Sequence, residues 1–216
     1  IYVTIGAVVI GMPIGILCAI FLAKFCPQAL YRIIKPVVNL MASIPSVVYG
    51  FFGLMLIVPF FQEIFGSSGK GLLTASVILG IMILPTVISV SEAALRAVPD
   101  SYFEGALALG ATKEKSVLFT VVPAAKSGIL AGVVLGIGRA IGETMAVIMV
   151  AGNQPQIPHS LLDGVRTMTA NIVIEMGYAT DLHREALVAT AVVLFVFILI
   201  INLCVSLLRS RSSDRS

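Results

Sequence analysis

The chain has 216 residues, of which 58% are hydrophobic and 12% charged, with a net charge of +3 and a mean hydropathy of +1.06. A soluble domain carries about 25% charged residues, so a chain this poor in charge lacks the material for a water-facing surface, and a soluble enzyme is excluded as the first reading. Cys18, Cys26 and Cys204 have neither metal-knuckle spacing nor the pattern of a disulfide framework. The small positive charge reads as a membrane-orientation signal, so lipid is the expected surrounding and no nucleic-acid partner is expected. Ile1, set in an apolar run where a Met is usual, suggests a start partway through a longer protein.

A hydrocarbon core of roughly 30 Å takes about 20 apolar residues as a helix. Five segments qualify, at 2–23, 37–61, 72–90, 127–151 and 186–208, the second interrupted by Pro45 and Pro59. The first has no basic residues ahead of it and is too long for a signal peptide. Lys24, Arg32 and Lys35 follow the first span. Arg96, Lys113, Lys115 and Lys126 follow the third, and Arg209, Arg211 and Arg215 follow the fifth. These ten share one side of an alternating topology, against Lys70, Arg166 and Arg184 on the other. The positive-inside rule makes the richer side cytoplasmic. The first span then enters from outside, and both termini inside would require a sixth span upstream. Residues 92–123 become a cytoplasmic loop, 153–185 an external segment and 209–216 a cytoplasmic tail of Ser and Arg.

Within the loop, Pro99 to Gly110 reads as a short helix, with Ser101 and Glu104 at capping-box spacing and Gly110 as a left-handed stop. Thr112 caps a second segment that ends at Pro123. Local spacing alone leaves a plain connector between two spans equally open.

The order Glu104-Gly105-Ala106, Gly110, nine residues, then Thr120-Val121-Val122-Pro123 resembles the cytoplasmic loop of ABC-importer permeases, Glu-Ala-Ala-x-x-x-Gly followed by Ile-x-Leu-Pro. Glu104, Ala106, Gly110 and Pro123 match, whereas Gly105, Thr120 and Val122 depart from the pattern. Glu92-Ala93-Ala94 starts the same way, but Val98 stands at its glycine position, and it is set aside. The resemblance implies a coupling helix that docks in a groove on a separate ATPase. Tyr102, Phe103 and Leu107 would fill an apolar notch in helix-in-groove manner, and Glu104 would meet a basic partner residue. The one P-loop-like stretch, Gly66 to Gly71, has Ile64 where the first glycine belongs and Gly71 where Ser or Thr belongs. ATP chemistry would therefore come from another polypeptide, and the chain itself is not expected to be an enzyme.

Arg139 and Glu143 are the charged residues placed well inside a span. An ionisable group there is costly, about 2.5–3.5 kcal/mol for Arg on the insertion scale, and is read as functional by default. Four residues apart, the two share a helix face with the close-packing stripe Gly128, Gly132 and Gly136. One reading is a salt bridge that locks helix packing. The other is a polar lining for an anion, with the Arg139 fork offered to an oxyanion and Glu143 neutralising it when the site is empty.

Gly138 to Ala146 (Gly-Arg-Ala-Ile-Gly-Glu-Thr-Met-Ala) and Ser43 to Phe51 (Ser-Ile-Pro-Ser-Val-Val-Tyr-Gly-Phe) resemble signatures of the phosphate-importer permeases of PstC type, and the likeness runs over 5–208. It implies an all-α, polytopic type I importer bundle, with five spans here and six in the full protein, in a prokaryotic inner membrane. It also implies a related second permease, two ATPase subunits and an external phosphate-binding protein, with Arg139 and Glu143 on the translocation path. By charge alone, sulfate or molybdate would suit Arg139 as well, and Glu143 beside Arg139 would also serve a proton relay in an ion-coupled carrier. An intramembrane hydrolase is disfavoured, since neither histidine lies in a span. His159 and His183 lack a third ligand, so neither a metal nor a cofactor is called for. Ser43 and Ser46 near Pro45, and Thr86 beside Pro85, are read as groups that re-satisfy backbone carbonyls freed by proline.

Overall fold

A computed structural model describes the backbone of residues 1–213 and the side chains of residues 1–203. The elements are helical: α1 (Tyr2–Ile20), α2 (Gln28–Ser43), α3 (Ser46–Phe52), α4 (Val58–Phe65), α5 (Leu72–Arg96), α6 (Asp100–Ala108), α7 (Lys113–Ser116), α8 (Val122–Ala124), α9 (Lys126–Gly142), α10 (Met145–Val150), α11 (Met168–Met176) and α12 (Asp181–Ser213). Among the described residues the only β pairing is an isolated bridge between Gly152 and Val165. Four helical stretches are long and apolar enough to cross a membrane: Tyr2–Phe25, Ser46–Phe65, Leu72–Arg96 and Asp181–Leu203. A fifth candidate is the pair Lys113–Ala124 and Lys126–Gly142, bent by 71°. The expected all-α, polytopic class stands, with several boundaries corrected.

The second span starts at Ser46 rather than 37, because α2 is a separate helix. Pro45 supplies no N–H and disfavours helix at Ile44 before it, so α2 stops at Ser43. There the Ser43 hydroxyl donates back to the Leu40 carbonyl, 2.8 Å away. The third span runs on to Arg96, which places Glu92 in its last turns and not in a loop. The span expected over 127–151 is two helices, α9 and α10, broken at residues 143–144. The last span begins at Asp181, within the segment read as external. Of the expected tail, 209–213 continue the backbone of α12, their side chains lie outside the described residues, and so do residues 214–216 entirely.

Three prolines leave a common mark. Pro27, Pro59 and Pro123 each stand two residues after a single π turn, at Phe21–Phe25, Gly53–Ile57 and Val117–Val121. In each case the residue before the proline donates five residues back: Cys26 to Phe21, Val58 to Gly53 and Val122 to Val117. A proline lacks the N–H and crowds the carbonyl four residues earlier. Widening the preceding turn absorbs both defects and keeps backbone groups paired in an apolar medium.

The chain divides into two compact units. One comprises Ile1–Gly11, Ile44–Ile83 and Ile137–Cys204. Its core holds Val3, Ala7, Tyr49, Ile78, Leu79, Met82, Val147 and Val150, all buried. The other includes Met12–Ser43 and Leu84–Gly136, with one cluster around Ile20, Leu95, Val117 and Val121 and a smaller one of Leu22, Val38 and Ile88. Apolar side chains such as Val9, Leu17, Phe195 and Leu199 stay exposed. A helix apolar all round is suited to lipid rather than water.

Candidate functional site

Arg139 lies in the last turn of α9, half-buried, near enough to Tyr49 for its charge to act on the phenol. Glu143 follows immediately after α9 ends at Gly142. A glycine is a weak helix former, and Thr144 leaves the helical basin at φ −126°, ψ −58°. The helix ends created by the break have unpaired backbone groups. Local side chains meet that need: Glu143 Oε1 accepts from Ala146 N at 3.1 Å, and the Thr169 hydroxyl donates to the Glu143 carbonyl at 3.0 Å. Thr167 in turn caps α11, accepting from Ala170 N at 3.2 Å. The expected continuous face carrying Arg139 and Glu143 together is therefore corrected. Glu143 lies in the break between α9 and α10, just beyond the helix that carries the arginine, and its carboxylate accepts from the first turn of α10.

Two stretches far apart in sequence meet here. A Cβ on Gly50 would stand 2.8 Å from Ala146 Cα and 2.9 Å from Met149 Sδ, and one on Gly53 would meet Ile78 and Val150. Glycine at 50 and 53 lets α3 and its π turn lie directly against α10. A cavity of about 510 Å³ opens in the same unit, lined by apolar residues including Val8, Leu79, Ile141 and Phe197, with Glu143, Thr4, Thr167 and Thr169 as its polar points. Such a lining does not suit a hydrated oxyanion, and Arg139 is not among the lining residues.

After α10, the stretch 153–185 is tied down by Arg166. It donates to the Asn153 carbonyl at 2.9 Å, to Asn171 Oδ1 at 3.2 Å and to Glu175 at 2.6 Å. Hydrogen bonding from Tyr178, and then from Arg166, holds the Glu175 carboxyl below its ordinary range against the opposing effect of desolvation. His183 lies 3.6 Å from Glu175, and the backbone N–H groups of His159 and Ser160 donate to Asp163. Among the described residues no three His, Cys, Asp or Glu side chains gather as a metal site.

In the other unit, α6 starts at Asp100 with Pro99 ahead of it and no side-chain cap. The capping box expected of Ser101 and Glu104 is not formed, because Ser101 already sits inside the helix and Asp100 places its charge at the positive end. Gly110 has φ +89°, with its N–H on the Leu107 carbonyl and the Ala111 N–H on that of Ala106. An added Cβ would meet nothing, so it is the backbone conformation that calls for glycine. Thr112 caps α7, accepting from Lys115 N at 3.4 Å. Tyr102 and Glu104 are exposed, Ala106 and Leu107 half-buried, and Pro123 exposed in α8. Phe103 instead packs inward on the Leu95 and Val117 cluster, and its carbonyl accepts from the Ser116 hydroxyl at 2.9 Å. The most exposed large apolar groups of this loop are Leu109 at 92% and Phe119 at 77%, neither of which is singled out by the sequence reading. An apolar residue placed just before the left-handed glycine was the available signal for Leu109. Gly128 lies against Ala94, and Gly132 against Ser91 and Val90. Gly136 is buried.

Several long apolar helices, one of them part of a bent pair, define the class: a multi-pass helical membrane protein. The chain belongs to the family of binding-protein-dependent transport system inner membrane components, whose profile matches residues 11–214. It is 41% identical over 213 residues to the probable ABC transporter permease protein YqgH of Bacillus subtilis, covering 97% of this chain and 69% of that protein. To the phosphate transport system permease protein PstC of Mesorhizobium japonicum it is 38% identical over 216 residues, covering 90% of this chain and 66% of that protein. The chain thus spans about two thirds of the length of these curated relatives. Its fold matches a chain of the MetNI methionine ABC transporter, solved in inward-facing conformations, with a TM-score of 0.77 at 22% identity over 97% of this chain and 91% of that one.

Proposed function

We propose that the chain is the permease subunit of an ATP-driven importer that carries inorganic phosphate inward by alternating access. The partners would be a related second permease, two ATPase subunits and an external phosphate-binding protein. What supports the substrate is the likeness to permeases that are named for phosphate transport, together with Arg139, a planar fork suited to a tetrahedral oxyanion, at the end of an apolar helix. What supports coupling is α6, a short helix with a glycine-set turn and an outward Leu109. ATP-driven closure of the ATPases moves α6, and the bundle passes between outward-open and inward-open states. Glu143 neutralises the Arg139 guanidinium while the anion is absent, and its carboxylate pairs a backbone N–H at the helix break.

The test is uptake of labelled phosphate into proteoliposomes that hold the assembled importer, with ATP inside the compartment where the ATPases face. ATP-dependent uptake of phosphate, not competed by sulfate or molybdate, is the expected result. Uptake driven by an ion gradient with hydrolysis blocked would overturn the reading.

A further inference from the structure

Glu92, the residue set aside as a false start of the loop motif, is 2% exposed and carries three charged or polar partners. It accepts from Tyr31 Oη at 2.8 Å, from Lys35 Nζ at 2.6 Å and from Arg96 Nε at 2.8 Å. Arg96 also lies 4.5 Å over the Tyr31 ring and donates through Nη2 to the Leu22 carbonyl at 2.9 Å. That carbonyl is available for a physical reason. Its helical donor would be Cys26, but the π turn sends the Cys26 N–H to Phe21, and the next residue, Pro27, has none. One carboxylate therefore joins α2 to α5, and one guanidinium joins α5 to the end of the first span. Only residues 97–99 then separate Arg96 from α6, whose first residue, Asp100, meets Lys24 at 3.3 Å.

Taking an ion out of water costs several kcal/mol, and a buried pair is often no more stabilising than apolar side chains of the same size. A charged node is thus a poor choice for stability alone, but it fixes direction and distance between the elements it joins. We propose that Glu92 is a positioning residue of the transport cycle, which locks α2 and the end of the first span to the base of α5 so that displacement of α6 moves all three together. This rests on the reading of α6 as the element that docks on the ATPase.

The experiment compares the wild-type assembled importer with Glu92→Gln and, as a milder break from the other side, Lys35→Met. Three quantities are read: assembly by size-exclusion chromatography, ATP hydrolysed per phosphate delivered, and backbone hydrogen exchange. Both variants should assemble and hydrolyse ATP, with the ratio of ATP to phosphate raised at least about fivefold, the low end of measured coupling strengths. The KM for phosphate should not change. Exchange should quicken in α2 and in 97–108 together. A normal ratio in both variants, or parallel loss of assembly, hydrolysis and uptake in both, would overturn the proposal in favour of no role or of simple support. If the wild-type assembly proves not to use ATP, the functional reading fails on its own. The link is then still decided by exchange, since a response confined to the turn around residue 92 refutes it.

Discussion

The two compact units put an acidic side chain to different uses. In the unit built on 12–43 and 84–136, a nearly sealed carboxylate gathers a phenol and an ammonium from α2 and a guanidinium from its own helix. In the unit built on 1–11, 44–83 and 137–204, helices touch through glycine, as Gly50 does at Ala146, and the carboxylate at its helix break, Glu143, reaches only three residues along its own chain. One acidic side chain joins elements, whereas the other pairs the backbone at a helix break. The contrast teaches that an acidic residue in an apolar helix has no fixed meaning: its partners decide whether it carries force between helices or only pairs the ends of a broken one.

That contrast can be broken most severely at Glu92. Glu92→Ala leaves Lys35 and Arg96 without their shared anion and is expected to cost about 3 kcal/mol, the lower bound for breaking a buried pair because both cations keep access to water. Denaturant titration of the purified subunit in detergent checks it, and a loss under about 1 kcal/mol, in the range of a surface pair, would remove the node from the account. Next is Gly50→Val, which forces a side chain into the Ala146 backbone. Overpacking of this kind costs about 1–3 kcal/mol, read in the same titration, and α3 and α10 should show it together in hydrogen exchange. Glu143→Ala removes a cap and should cost about 1 kcal/mol, with faster exchange centred on Ala146 and little change elsewhere. A response that spreads as widely as that of Glu92→Ala would erase the distinction between joining elements and pairing a helix break.

The smallest effect is in the stretch 153–185. Because Glu175 titrates below the ordinary carboxylate value when folded, its contribution is complete above the unfolded value and is lost as pH falls through the folded one. Tyr178→Phe removes the leading cause of that shift, so the acid-side decline in thermal stability should become smaller and be complete at a higher pH, with its onset unchanged.

Much of this was legible in the sequence. Long apolar runs announce membrane helices, because the bilayer sets their length, and Gly110 and Thr112 announce their turn and cap by local chemistry alone. The break at 143–144 was hidden, since hydropathy reads straight across it and only Gly142 and Thr144 hint at a stop. The π turns were hidden because a proline in an apolar run signals a defect but not how the chain absorbs it. The Glu92 node was hidden for a different reason: Lys35 and Tyr31 stand 57 and 61 residues away, and nothing local pairs them. Its one local trace was Glu92 four residues ahead of Arg96, with Tyr31 at the same spacing from Lys35. Phe103 was assigned outward from its residue type, but the helix places it on the inner face.

The account turns on Arg139 serving the anion and not the scaffold, and Arg139→Gln in the assembled importer tests that most directly. Uptake of labelled phosphate should fall at least about a hundredfold, the loss expected when a charged contact to the anion worth about 3 kcal/mol is removed, while assembly and the unfolding midpoint stay as in the wild type. Wild-type uptake, or a subunit that no longer assembles, would contradict it.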